Sequence, residues 1–187
     1  MAWEAAFLLW VQNTVRQDWL DPVAVRFTQL GHAGLVWIIV TLVLLIIPKT
    51  RKVGCACVIA LMMTLVFCSG ILKNVFARPR PYTQIPGLHL LGPQASDWSF
   101  PSGHSCTAFS VGGICLARLP KKAGIPIIAA ATLIALSRLY VGIHYPTDVI
   151  AGVALGIAIA LAAMKLFDVI DTRFEAWKEK RKQQYHA

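Results

Sequence analysis

Residues 73 to 148 carry eight positions whose types suit one ligand, a phosphate. Lys73 is followed by Arg80-Pro81, and Pro101-Ser102-Gly103-His104 opens a long apolar run. Ser137-Arg138 closes another such run, ahead of His144 and Asp148. Lysine and arginine supply charge-assisted hydrogen bonds, and the planar arginine fork matches phosphate oxygens. A helix beginning at Ser102 adds free backbone N–H groups and the positive end of its dipole. Ser102 would cap that helix and offer its hydroxyl, while Gly103 lets a ligand approach the backbone. His144 and Asp148 bracket Pro146, a residue suited to a helix start. The carboxylate can then orient one imidazole nitrogen and leave the other to attack. His104, from another helix, is placed to protonate a leaving oxygen. A histidine alone at a helix end reads more readily as a surface or packing residue; the joint arrangement is what points to chemistry.

Membrane helices must position these groups. Of 187 residues, 57% are hydrophobic and 14% charged, with a mean hydropathy of +0.61. A soluble domain carries about a quarter charged residues. The deficit falls on long uninterrupted stretches, so the expected fold is all-α, a polytopic membrane helix bundle forming one domain over residues 1–187. Five transmembrane helices are expected, from about Ala33 to Ile47, Val53 to Leu72, Ser102 to Leu119, Ile125 to Tyr140 and Pro146 to Phe167. Residues 1–20 have too few consecutive apolar residues to cross a bilayer. Trp3, Phe7, Trp10 and Val11 recur there at helical spacing, with Glu4, Gln12, Arg16 and Asp18 among the rest, which reads as an interfacial helix. Arg26, Gln29 and His32 are expected at headgroup level or against protein. No basic stretch precedes the first apolar residues, which argues against a signal peptide. The cysteines Cys55, Cys57, Cys68, Cys106 and Cys115 all lie inside apolar runs and read as packing residues, without the spacing of a zinc site or a disulfide framework.

The net charge of +9 could suggest nucleic acid, but the basic residues gather in short loops and in the tail. That is the pattern that orients membrane proteins, and it excludes a nucleic-acid partner. Lys49, Arg51 and Lys52, then Arg118, Lys121 and Lys122, then the basic tail 168–187 all fall on one side of five spans. That side is expected to be cytoplasmic. The phosphate-suited residues then share the extracytoplasmic face of a multi-pass protein in the plasma membrane. Lys73, Arg78 and Arg80 break the positive-inside pattern there, and Arg138 inside a span is costlier still. Snorkelling to headgroups is the alternative for each of them alone.

Lys73-x6-Arg80-Pro81, Pro101-Ser102-Gly103-His104 and Ser137-Arg138-x5-His144-x3-Asp148 together resemble the three-part signature of the type 2 phosphatidic acid phosphatase (PAP2) superfamily. Any one motif is weak, whereas all three in order are specific. The family includes membrane lipid phosphatases, glucose-6-phosphatases and soluble vanadium haloperoxidases. The resemblance implies a phosphatase that needs no metal or other cofactor and works through a phosphohistidine. It makes His144 the nucleophile, Asp148 its orienting partner and His104 the acid. It assigns Lys73, Arg80, Ser102, Gly103 and Arg138 to the phosphate. No signature position departs from the pattern. Arg78 is not a signature residue and is given no role.

A site at the outer interface lets a lipid phosphate reach it without leaving the bilayer. Bacterial members of the family act on polyisoprenyl diphosphates, phosphatidylglycerol phosphate, phosphatidate or the phosphates of lipid A. An undecaprenyl-type polyisoprenyl diphosphate is the preferred expectation. The loop 82–99 is expected to shape the entrance, with His89, Asp97 and Trp98 either touching substrate or serving as ordinary loop residues. Hydrophobicity disfavours a haloperoxidase, and size disfavours a glucose-6-phosphatase. Few intramembrane charges and no pair of broken helices speak against a transporter. The intact set of chemical groups speaks against an inactive lipid-binding scaffold.

Overall fold

Apolar stretches separated by short basic or proline-bearing breaks have one way to satisfy their backbone in lipid, which is to form helices. The computed structural model describes residues 2–30 and 34–185, and among them every regular element is helical. Helix α1 covers Ala2–Trp10 and runs into a π-helical turn at Val11–Val15. Then come α2 (Asp21–Leu30), α3 (Leu35–Ile46) and α4 (Arg51–Met63), the last continued by a π-helical stretch at Thr64–Leu72. Two short helices follow, α5 (Lys73–Phe76) and α6 (Pro81–Gln84). The chain ends in α7 (Gly103–Arg118), α8 (Lys121–Tyr140) and α9 (Pro146–Tyr185).

The five expected spans correspond to α3, α4 with its π-helical continuation, α7, α8 and α9. Three helical stretches among the described residues are long and apolar enough to cross a membrane: Arg51–Gln84, Lys121–Tyr140 and Pro146–Gln184. Helix α3 is apolar but only 12 residues long, and α7 has 16. His32 and the expected first residue of the first span, Ala33, lie outside the described residues. Helix α9 continues unbroken past Phe167, so the basic tail is helical as far as Tyr185. Large apolar side chains such as Ile39, Leu133, Leu136 and Leu161 point outward.

Helix α7 is the hub, packed against α4, α8 and α9. Gly152 and Gly156 set its seam with α9. A Cβ at these positions would stand 2.5 Å from the carbonyl oxygens of Ser102 and Cys106 respectively. Only glycine permits that approach, as at other membrane helix interfaces built on small residues. Cys57, Cys68, Cys106 and Cys115 are buried in the same core beside Ala108, Val111 and Ile114. They are free thiols, as their packing role requires.

The bundle has two chemically different ends. At one, Lys52 pairs with Asp171 (2.7 Å), and Arg118 grips both oxygens of Asp168 (2.8 and 2.6 Å). At the other lie the N-termini of α7 and α9. Helix α1 docks on that second end through buried Glu4 and Leu8, while Trp3 and Trp10 face outward. Leu8 packs with Leu88 and Tyr145. Of the expected apolar face, Trp3 and Trp10 are thus free, whereas Phe7 packs against that cluster, Val11 is buried and Glu4 is turned into the protein. Beyond α1, Gln12 Nε2 donates to Gly87 O (2.9 Å). Arg16 donates to Tyr140 O (2.8 Å) and His89 O (2.6 Å). These contacts pin the long loop between α6 and α7.

Candidate active site

Lys73 follows directly on the π-helical stretch, a local widening often found beside functional sites. Ala77 ends α5 with φ of 41°, a left-handed conformation rare for a residue with a Cβ. That turn brings Arg80 back to the cavity that Lys73 also lines. The two cations share one carboxylate. Lys73 Nζ donates to Asp97 Oδ2 (2.5 Å) and Trp98 O (2.7 Å). Arg80 Nη2 donates to Asp97 Oδ1 (2.5 Å), and its Nε to Asp97 O (3.1 Å). Burial pushes the Asp97 carboxyl up, but Lys73 and Arg80 overrule it and hold it at about 2. Left open in the sequence between substrate contact and ordinary loop residue, Asp97 is a partner of the two phosphate-suited cations themselves. His89, by contrast, takes part through its backbone, bonded to Gln12 and Arg16.

His144 sits in the turn between α8 and α9 and is 1% exposed. Arg80 Nη1 lies 3.0 Å from His144 Nε2. Guanidinium can only donate, so Nε2 is the accepting, unprotonated nitrogen and the ring proton belongs on Nδ1. Nδ1 faces Asp148 Oδ2 and Ser99 Oγ, each at 3.4 Å. Asp148 is fully buried. Its Oδ2 accepts from Tyr145 N (2.9 Å) and Ser99 Oγ (2.5 Å), which fixes its rotamer. Burial, followed by the charges of Arg80, Arg138 and Lys73, pushes the His144 imidazole well below its usual 6.5. A neutral ring with an oriented Nδ1–H and a lone pair on Nε2 is a competent nucleophile.

The remaining expected residues divide. Gly103, His104, Arg138 and His144 line the same cavity as Lys73 and Arg80. A Cβ on Gly103 would point at Lys73 Cε, 3.7 Å away. Buried Arg138 donates through Nη1 to Thr28 Oγ1, while its Nε finds no partner within the described protein. Ser102 is placed differently. It is fully buried, and its Oγ accepts from Ser105 N (3.4 Å) and Ser105 Oγ (3.0 Å), capping α7. Its own N–H donates to Asp148 O (3.0 Å), joining the starts of α7 and α9.

Besides the hydroxyls of Ser99 and Thr28, two charged residues, Arg78 and Glu4, had no site role in the sequence reading. Arg78 Nη1 donates to Asp148 Oδ1 (2.5 Å) and Thr147 Oγ1 (2.8 Å), and its Nη2 to Glu4 Oε2 (2.7 Å). The signals were a cation on the wrong side of the positive-inside pattern and one acidic residue in an apolar N-terminal helix.

The family model described as the PAP2 superfamily matches residues 54–170. An undecaprenyl-diphosphatase of Sulfolobus acidocaldarius is 39% identical over 131 residues, 70% of this chain and 63% of that protein. Phosphatidylglycerophosphatase B of Bacillus subtilis is 32% identical over 178 residues, 86% of this chain and 81% of that one. The chain spans 63% and 51% of the lengths of the Sulfolobus acidocaldarius and Bacillus subtilis undecaprenyl-diphosphatases it matches. Among solved structures, the crystal structure of Aquifex aeolicus LpxE superposes with a TM-score of 0.75 at 30% identity, over 86% of this chain and 93% of that one.

Proposed function

The chain belongs to the PAP2 superfamily, and on that premise we propose that it is a membrane lipid phosphatase acting on a polyisoprenyl diphosphate of the undecaprenyl type. The observation that carries this reading is a single cavity of about 840 Å³ with two chemically distinct ends. Lys73, Arg80, Arg138 and both histidines line one end; Ile38, Leu42, Val58 and Met62, from α3 and α4, line the other. Val58 and Lys73 are separated by roughly 20 Å of helix at about 1.5 Å per residue. An anionic head and one long apolar tail fit that slot together. The names of the diphosphatase relatives favour the same substrate, and those of the phosphatidylglycerophosphate and lipid A phosphatases supply the competitors. By the positive-inside distribution the site faces the extracytoplasmic side, with the helical basic tail in the cytoplasm.

The reaction runs in two displacements. The terminal phosphate replaces Asp97 on Lys73 and Arg80, and Arg138 Nε donates to it. Arg80 thereby releases Nε2 of His144. That lone pair forms the N–P bond as the P–O bond to the leaving group breaks, and His104 gives its proton to the departing oxygen. His104, now a base, takes a proton from water, whose oxygen attacks phosphorus and breaks the N–P bond. The three cations hold the equatorial oxygens throughout.

Purified protein in detergent with EDTA should release inorganic phosphate from a long-chain polyisoprenyl diphosphate, with a higher kcat/KM than from phosphatidylglycerol phosphate, phosphatidate or lipid A. His144→Ala should abolish the release. Activity surviving that substitution sinks the mechanism, activity lost on chelation points to a metal enzyme, and a different ranking reassigns the substrate.

A further inference from the structure

Arg78 lies in the first motif by position only, between Lys73 and Arg80, yet it faces away from the cavity that those two line. It is not among the residues that line the cavity, whereas both neighbouring cations are. Its guanidinium lies 3.8 Å above the Tyr145 ring and reaches Asp148 on the oxygen that Tyr145 N and Ser99 Oγ leave unused. On its far side it meets Glu4, whose side chain is 3% exposed although α1 is the first helix of the chain. Glu4 Oε1 also accepts from Thr147 Oγ1 (2.6 Å), one residue before Asp148. Snorkelling to headgroups does not describe this side chain, which is turned inward between two buried carboxylates.

We propose that Glu4 and Arg78 are positioning residues that extend the His144–Asp148 pair into a four-membered relay, with the N-terminal helix as its outer support. The physical need is specific. Asp148 is fully buried, and a buried carboxylate requires a counter-charge and a full set of donors to hold one orientation. Arg78 supplies both on Oδ1, and its planar fork sets the plane of the carboxylate. That leaves Oδ2 aimed at His144 Nδ1. Glu4 returns the charge of Arg78 and fixes its second nitrogen, so the fork cannot rotate off Asp148. Helix α1 therefore does more than lie against the membrane: it is tied into the orientation of the nucleophile.

The proposal rests on the phosphatase reading, so the test keeps the two separable. Full-length wild type, Arg78→Met, Arg78→Lys, Glu4→Gln and the Glu4→Gln/Arg78→Met double variant would be compared in detergent, with farnesyl diphosphate as substrate. Orthovanadate and inorganic phosphate affinities would be read by thermal shift. Loss of an orienting carboxylate in a triad costs roughly 10⁴ in kcat. Arg78 acts one step further out, so Arg78→Met should lower kcat about 100-fold and Glu4→Gln about 10-fold, with KM changed by less than about twofold. Arg78→Lys should recover part of the loss, and the double variant should be no slower than Arg78→Met alone. Orthovanadate, which bonds to the nucleophile, should bind Arg78→Met about 10-fold more weakly. Inorganic phosphate, held by Lys73, Arg80 and Arg138, should bind equally well. An unchanged kcat, or a raised KM with kcat intact, overturns the relay; the latter would make Arg78 a substrate contact. Wild type inactive on lipid phosphates would sink the phosphatase reading instead. The vanadate-to-phosphate comparison needs no turnover, and equal loss of both ligands would then overturn the relay.

Discussion

The most exposed acid in the site makes the sharpest prediction. Asp97 bridges Lys73 and Arg80, both with side chains 6% exposed, while its own side chain is 54% exposed. A ligand phosphate arriving at these cations must displace it. The carboxyl is held at about 2 against an ordinary 3.8, which at 1.36 kcal/mol per unit is about 2.4 kcal/mol. Half the side chain is in solvent, so screening reduces the effective figure to about 1 kcal/mol. Asp97 is a carboxyl with a depressed folded value, so its contribution is present above about pH 4 and is lost only as pH falls toward 2. It is therefore constant over any ordinary assay range. Asp97→Asn removes the competitor and leaves the cations in place. Inorganic phosphate and orthovanadate should then bind about fivefold tighter, with an unscreened ceiling of about 60-fold. The ligand-free protein should be less stable by about 1 kcal/mol, because two nearly buried cations lose their counter-charge, and saturating phosphate should restore it. Thermal shift against phosphate concentration reads both effects. Weaker phosphate binding in Asp97→Asn would refute this reasoning, because it would mean that the carboxylate holds the cations in place and does not compete for them.

Two further outcomes follow from the packing and the charge state. Folded His144 stays neutral well below 6.5, whereas the unfolded imidazole takes up a proton near that value. The unfolded state thus binds more protons as pH falls, and stability rises with pH across the window. Wild type should lose stability relative to His144→Gln between about pH 7.5 and 5.5 in denaturant melts, and a flat or reversed gap would rule out a neutral buried ring. Gly152→Ala should cost about 1–3 kcal/mol in the same melts, because its Cβ would meet Ser102 O at 2.5 Å. It should also lower kcat by parting the Ser102 N–H from Asp148 O, and an unchanged melting point would show that the seam can relax.

Much of the scaffold was legible because hydropathy and punctuation are local properties. Pro48, Pro120 and Pro146 stand near the breaks between helices, and the apolar runs between them became α3, α4, α7, α8 and α9. The third motif was legible for a similar reason. His144 and Asp148 are four residues apart at a helix start, where one turn brings them within 3.4 Å. Hydropathy could not reveal the π-helical stretch at Thr64–Leu72, because widening a helix leaves its composition unchanged. It bounded the last apolar span at Phe167 and left the secondary structure of the basic tail open, where no Gly or Pro interrupts the helix as far as Tyr185. Glu4 and Arg78 were hidden for a different reason. They are separated by 74 positions, and no periodicity links a residue on a terminal helix to one in a loop.

Residue type alone also misled on the outer cations, which looked alike as breaches of the positive-inside pattern. Their partners separate them. Lys73 and Arg80 share Asp97, a carboxylate that water can take back at little cost because half of it is already solvated. Arg78 is held by Glu4 and Asp148, with side chains 3% and 0% exposed, which would have to be charged and unpaired in a buried place if it let go. Among the described residues, Arg138 donates to the Thr28 hydroxyl and keeps Nε in reserve. On the proposed mechanism, the exposure of the counter-ion separates the roles of Lys73 and Arg80 from that of Arg78. Those with a yielding partner, or with an unused donor, can turn to a phosphate; the one locked between buried acids can only position. The same criterion accounts for how cations at this end of the bundle are tolerated, since three of the four are paired with acids, of which only Asp148 belongs to a sequence motif.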